Sequence, residues 1–173
     1  MSLCKSGIVS ERKWVVNASP VILLGKVGHL ALLEALCAQL IIPAAVVTEV
    51  CAEPHRDAGQ DWLRGQARAY VHDVGPIDPL ITTWDLGMGE SKVLTWAREQ
   101  PGYEAILDDR AARNCAIALG IPVRGTLGVI LLAKREGLLS HVQPAFARLQ
   151  EAGLRITPAV LDTALELAGE KES

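Results

Sequence analysis

At 173 residues, with 17 Lys and Arg against 20 Asp and Glu and a formal charge of −3, the chain is long enough for one buried core. It lacks the overall positive field of a general nucleic-acid or acidic-membrane binder. Half of its residues are hydrophobic but only 4% are aromatic, so Leu, Ile, Val and Ala must fill the core, which suits a parallel sheet covered by helices.

Residues 1–12 are polar and patternless and are expected to form a flexible N-terminal segment, with residues 13–173 as one domain. Trp14, Val15 and Val16 are strand formers that stop at Asn17-Ala18-Ser19-Pro20, where Pro20 can begin a helix because its missing N–H is not needed there. Apolar residues then recur at helical spacing from Leu23 to Leu36, with Gly25 and Gly28 dividing the run into two helices. Leu40 to Ile42 reads as a strand, and Pro43 opens a helix from Ala44 to Val50. A helix from Trp62 to Ala67 and a strand from Ala69 to Val74 follow.

After a loop containing Pro76 and Pro79, Asp85 is expected to cap a helix from Gly87 to Arg98. Gly102 returns the chain to a strand ending at Ile106-Leu107. Asp108-Asp109 starts a helix that Gly120 closes, Ile121 to Val123 reads as a strand, and Gly125-Thr126 begins another helix. Helices from Val142 to Gln150 and Pro158 to Leu167 complete the chain, with an extended piece from Leu154 to Ile156 between them. Strands alternating with helices predict an α/β fold with a mainly parallel sheet.

The longest apolar runs, such as Leu40 to Val47, are too short to span a bilayer, and the polar start does not resemble a secretory signal. A cytoplasmic protein without a membrane partner is expected. Four scattered cysteines form no C-x-x-C pair, so free thiols are expected, and Cys51 with His55 supplies too few ligands for zinc. The four histidines form no metal-binding pattern, and Gly87 to Lys92 lacks the G-K-[ST] ending of a phosphate loop.

In an open parallel sheet, ligands bind beyond the carboxyl ends of the strands. The polar residues there are Asn17, Ser19, Glu49, Glu90, Asp108, Asp109 and Thr126. Taken singly, most have a plain explanation: Asp108, Asp109, Ser19 and Thr126 as caps, Glu90 as a dipole partner, Glu49 as a solvated side chain. Taken together they make a different demand. Two carboxylates about 4 Å apart repel by roughly 4 kcal/mol at an effective dielectric near 20, so a converging cluster needs protonation or a cation. Mg²⁺ or Mn²⁺ prefers such hard oxygen ligands and can activate water and neutralise phosphate charge.

Five segments in order resemble the PIN domain family, and more narrowly its DUF3368 group. They are Val15 to Pro20, Ile41 to Val50, Gly87-Met88-Gly89-Glu90, Leu107 to Arg113, and Gly125-Thr126-Leu127-Gly128. The resemblance spans about Val15 to Leu167 and implies a three-layer α/β/α fold. It also implies a metal-dependent ribonuclease, commonly the toxin of a toxin–antitoxin pair, with RNA as substrate and an antitoxin as partner. Glu90 and Asp109 match the family's central acidic positions, with Asp108 an adjacent candidate. Glu49 falls at a further acidic position and Thr126 at the site hydroxyl. Asn17 departs from the pattern, which has aspartate there.

Glu90 and Asp109 are thus expected to hold Mg²⁺ or Mn²⁺, with Asn17 and Glu49 contributing directly or through water. Thr126 and Ser19 would orient water or phosphate, and Arg110 and Arg113 would contact the RNA backbone. Because an amide ligates less strongly than a carboxylate and cannot act as a base, Asn17 also permits a catalytically impaired binding or regulatory module. A metal-dependent phosphohydrolase acting on small phosphates is a third reading. The leucine stripe from Leu30 to Leu36 would serve either the core or a homodimer face.

Overall fold

The computed structural model describes residues 10–171, so most of the expected flexible segment 1–12 lies outside the described residues. Residues 10–12 are held against the fold. Ser10 Oγ donates to the Leu36 carbonyl at 2.8 Å, the Arg12 carbonyl accepts from Ala38 N–H at 2.8 Å, and Arg12 pairs with Glu136 at 2.8 Å.

Five parallel strands form the centre: β1 Lys13–Val16, β2 Gln39–Pro43, β3 Val71–His72, β4 Tyr103–Ile106 and β5 Val123–Arg124, in the order β3-β2-β1-β4-β5. Trp14, Val15 and Val16 are all fully buried, as expected for a strand covered on both faces. Ten helices surround the sheet among the described residues: α1 Ala18–Lys26, α2 Ala31–Ala35, α3 Ala44–Cys51, α4 Ala58–Arg64, α5 Pro79–Thr82, α6 Met88–Glu99, α7 Arg110–Ala118, α8 Thr126–Arg135, α9 Gln143–Glu151 and α10 Pro158–Leu167. The chain leaves β1 toward β2 and β3, then returns past β1 to β4 and β5. Right-handed crossovers in opposite directions place their helices on opposite faces, with α1 to α4 on one and α6 and α7 on the other. Helix α8 then packs back onto α1 and α2. This is the expected α/β fold with a mainly parallel sheet.

The core is aliphatic: among its largest fully buried side chains only Trp14 and Phe146 are aromatic. Leu32, Leu33 and Leu36 are buried, so the stripe expected to serve the core or a dimer face is used by the core.

Four local readings need correction, the first being the helix expected from Trp62 to Ala67, which is α4 and is closed by Gly65. The strand expected from Ala69 to Val74 is only Val71–His72, because residues from Gln66 to Tyr70 wind into a 3₁₀ turn and only β2 pairs at that edge. The proline loop contains α5, started by Pro79 and capped by Asp78, which accepts from Leu80 N–H at 2.8 Å. Asp85 does not cap α6. It lies before the Gly87 cap with φ +52°, a left-handed conformation that Asp tolerates better than most residues.

Candidate functional site

The strand order reverses direction at the pair β1 and β4, and open α/β sheets place their ligand crevice beyond the carboxyl ends at such a point. Backbone bonds fix the residues there. Asn17 N–H donates to the Ile106 carbonyl at 2.9 Å, and Leu107 N–H to the Arg124 carbonyl at 3.0 Å. The residues that leave β1, β4 and β5 are thereby set side by side.

Asn17 occupies the N-cap of α1, where an Asn side chain ordinarily accepts from the first turn and contributes about 1 kcal/mol. It makes no such cap. Its Nδ2 instead donates to Glu90 Oε1 at 3.1 Å, 73 residues away in sequence. Its Oδ1 is buried without a donor, and the residue is 1% exposed. A buried amide oxygen left unpaired costs roughly 1–3 kcal/mol, so this atom is where the site is least satisfied.

Glu49 and Glu90 converge on the same place through Gly89. A Cβ there would lie 2.5 Å from Glu49 Oε2 and 3.0 Å from Asn17 Oδ1, so both oxygens crowd the backbone that glycine leaves bare. Glu90, in the first turn of α6, folds back over Gly87, where a Cβ would lie 2.5 Å from its Oε2. Although Glu49 as a whole is exposed, its carboxylate lies against Gly89. Burial first, and then the Glu90 charge, hold its carboxyl above the ordinary range. A depression of about 470 Å³ opens here between α3 and the start of α6, with Thr48, Met88 and Gly89 in its wall.

The two adjacent aspartates part company. Asp108 accepts from Thr126 Oγ1 at 2.6 Å, Thr126 N–H at 2.8 Å and Ser19 Oγ at 3.1 Å. It therefore joins the ends of β1, β4 and β5 and caps α8, whose own N-cap residue, Gly125, has no side chain. Asp109 is the N-cap of α7 and accepts from Ala112 N–H at 2.9 Å. It is exposed, and its carboxylate serves the helix start.

Hard oxygen donors are what Mg²⁺ or Mn²⁺ takes. Among the described residues, no three acidic, histidine or cysteine side chains already gather as a metal cluster. What gathers is a mixed set: two carboxylates, Glu49 and Glu90, and the orphaned Asn17 amide oxygen. That set suits a hard cation in donor chemistry, and a cation would relieve both the raised Glu49 and the unpaired oxygen.

The DUF3368 family, described as a PIN domain, matches residues 13–170. This chain belongs to the PIN domain family. No curated protein matches it. PIN domains are in general divalent-metal dependent, which agrees with the oxygen-rich chemistry of this crevice. Among the described residues, no helix is long and apolar enough to cross a membrane.

Of the residues anticipated from sequence, this PIN domain gathers Asn17, Glu49 and Glu90 around Gly89, and Ser19, Asp108 and Thr126 in the adjoining hydrogen-bonded set. Arg113 lies beside Asp108: a Cβ on Gly125 would sit 3.0 Å from its Nη1 and 3.1 Å from Asp108 Oδ1. Arg110, at the exposed first position of α7, does not line the neighbouring groove, whereas Arg113 does. The roles of Gly89 and Gly125 were hidden in sequence, although their flanking of Glu90 and Thr126 was a usable signal.

Proposed function

We propose that this PIN domain is a Mg²⁺- or Mn²⁺-dependent endoribonuclease. The observation that carries the reading is Asn17 Oδ1, buried and without a donor, at the place where the Glu49 and Glu90 carboxylates converge. Asn17, Glu49 and Glu90 would hold the metal. When bound, the ion supplies a water of lowered pKa and neutralises phosphate charge. Asn17 Nδ2 fixes Glu90 by its hydrogen bond, so the amide both positions a carboxylate and offers its own oxygen.

Ser19, half-buried at the start of α1, orients the attacking water or the phosphate, and Thr126 supports it through the Asp108 carboxylate they share. Asp108 sets their hydroxyls by accepting from both, with Thr126 completely buried and so restricted in rotamer. In this arrangement Asp108 carries the inward role at β4, and Asp109 chiefly secures α7. RNA is the proposed substrate. Following the family resemblance, a separately encoded antitoxin is the proposed partner, and growth arrest on expression, relieved by that partner, tests this part.

One observation favours a second reading. The Asn17–Glu90 hydrogen bond satisfies Glu90 without a cation, which is how a PIN scaffold with its cleavage switched off would be built. Calorimetry with Mn²⁺ on the wild type, Asp108→Asn and Asn17→Asp, paired with cleavage of mixed single-stranded RNA, separates the two. Metal binding and cleavage by the wild type, with cleavage lost in Asp108→Asn, supports the nuclease. Binding and cleavage by Asn17→Asp alone supports the silent scaffold.

A further inference from the structure

Beside the carboxylate crevice runs a groove of about 540 Å³, within the roughly 300–1,000 Å³ typical of ligand clefts. Asp108 lines this groove too, so the two sites are contiguous. The groove wall comes from α7, the start of α8, and the segment 154–157 that joins α9 to α10. Three arginines line it: Arg113, Arg124 and Arg155.

Their charges are not equivalent. Arg124 is paired with Glu104 at 2.7 Å and is neutralised there. Arg113 donates only to the Leu107 carbonyl, at 3.4 Å, and Arg155 has no ion pair or hydrogen-bonded side-chain partner among the described residues. Two guanidinium groups without an ion-pair partner thus face a groove with a single carboxylate, Asp108, which leaves its lining net positive by one charge. On a chain of net charge −3 this is a local reversal of sign, continuous with the site. Between the arginines the wall is apolar, with Leu127, Ile156 and Val160.

We propose that this groove is the path of a single RNA strand leaving the site, with Arg113 taking the phosphate nearest Asp108 and Arg155 anchoring a phosphate further out. Guanidinium groups suit phosphate because their planar fork can bind two of its oxygens, and the apolar wall suits an unstacked base or sugar. Arg155 is therefore a substrate-positioning residue outside the strand-end set. This assignment rests on the nuclease reading for the identity of the strand, but not for its test.

The test is binding of a fluorescein-labelled single-stranded RNA of mixed sequence, in EDTA so that no cleavage occurs, followed by anisotropy across a salt series. Arg155→Ala should weaken binding about tenfold. It should also flatten the slope of log affinity against log salt by about 0.7, the value for one lost phosphate contact on a single strand. Arg155→Lys should recover most of the slope. Arg64→Ala, which removes an exposed charge on α4 away from the groove, should change neither quantity. Unchanged binding in Arg155→Ala overturns the proposal. So does weaker binding with an unchanged salt slope, which would mean that Arg155 acts through packing of its stem and not through a phosphate. Should the wild type fail to cleave RNA with Mn²⁺ while Arg155-dependent binding persists, the nuclease reading falls and the groove assignment stands.

Discussion

Thr126 Oγ1 donates to Asp108 Oδ2 at 2.6 Å, and this short bond separates the two consecutive aspartates into different roles. Asp108 is committed to the strand ends, while Asp109 caps α7. Asp109→Asn should leave stability almost unchanged, since Asn caps as well as Asp, and Asp109→Ala should cost about 1 kcal/mol. Asp108→Asn should lose most RNA cleavage while remaining folded. Urea melts and a single-turnover cleavage assay on the three variants check this, and a larger catalytic loss in Asp109→Asn than in Asp108→Asn would reverse the assignment.

Asn17→Asp exchanges a hydrogen bond to Glu90 for a carboxylate facing another carboxylate. Without metal, the variant should be less stable than wild type by about 1–3 kcal/mol, from the lost bond and like-charge repulsion. With saturating Mn²⁺ it should gain more in melting temperature than the wild type does, because the same repulsion becomes attraction to the ion. Thermal melts with and without Mn²⁺ give both numbers, and an equal Mn²⁺ effect in the two proteins would mean that position 17 does not face the metal.

Gly89→Ala tests the shared space of Asn17 and Glu49. Alanine is favoured over glycine in helices by about 1 kcal/mol, so α6 itself should tolerate the change. The new methyl would displace Glu49 Oε2 and press on the buried Asn17 amide. The expected outcome is Mn²⁺ affinity reduced at least tenfold with stability altered by less than about 1 kcal/mol. Calorimetry and denaturant unfolding measure the two independently, and unimpaired metal binding would remove Gly89 from the site.

Glu170 ties the segment after α10 to the body. Its carboxylate accepts from Lys134 Nζ and Val142 N–H at 2.7 Å each, and from Gln143 N–H at 3.0 Å. Desolvation pushes its carboxyl up, but the Lys134 and backbone hydrogen bonds outweigh it and hold the group at about 2, against an ordinary 4.5. A carboxyl depressed in the folded state stabilises fully above pH 4.5, and that stabilisation is lost as pH falls from 4.5 toward 2. Glu170→Gln should cost about 1–2 kcal/mol at pH 7 and have a flatter stability profile across that acid window. Denaturant melts between pH 2.5 and 7 would show it, and parallel wild-type and variant profiles would count against the linkage.

The sequence by itself determined the alternation of strands and helices, the aliphatic composition of the core, and which polar residues stand just beyond strand ends. Each of these is carried by short-range pattern: β-forming runs such as Trp14 to Val16, helix punctuation such as Pro43 and Gly120, and the family motifs around Glu90 and Thr126. The same patterns could not divide Asp108 from Asp109, because residues one apart at a helix start share every local signal. The tertiary structure decided it: Ser19, 89 residues away in sequence, and Thr126, 18 away, supply donors that draw Asp108 inward. The unpaired oxygen of Asn17 and the sharing of one groove by Arg155 and Asp108 were equally invisible in sequence. Both depend on long-range packing that fixes side-chain direction and partners, which residue spacing does not encode.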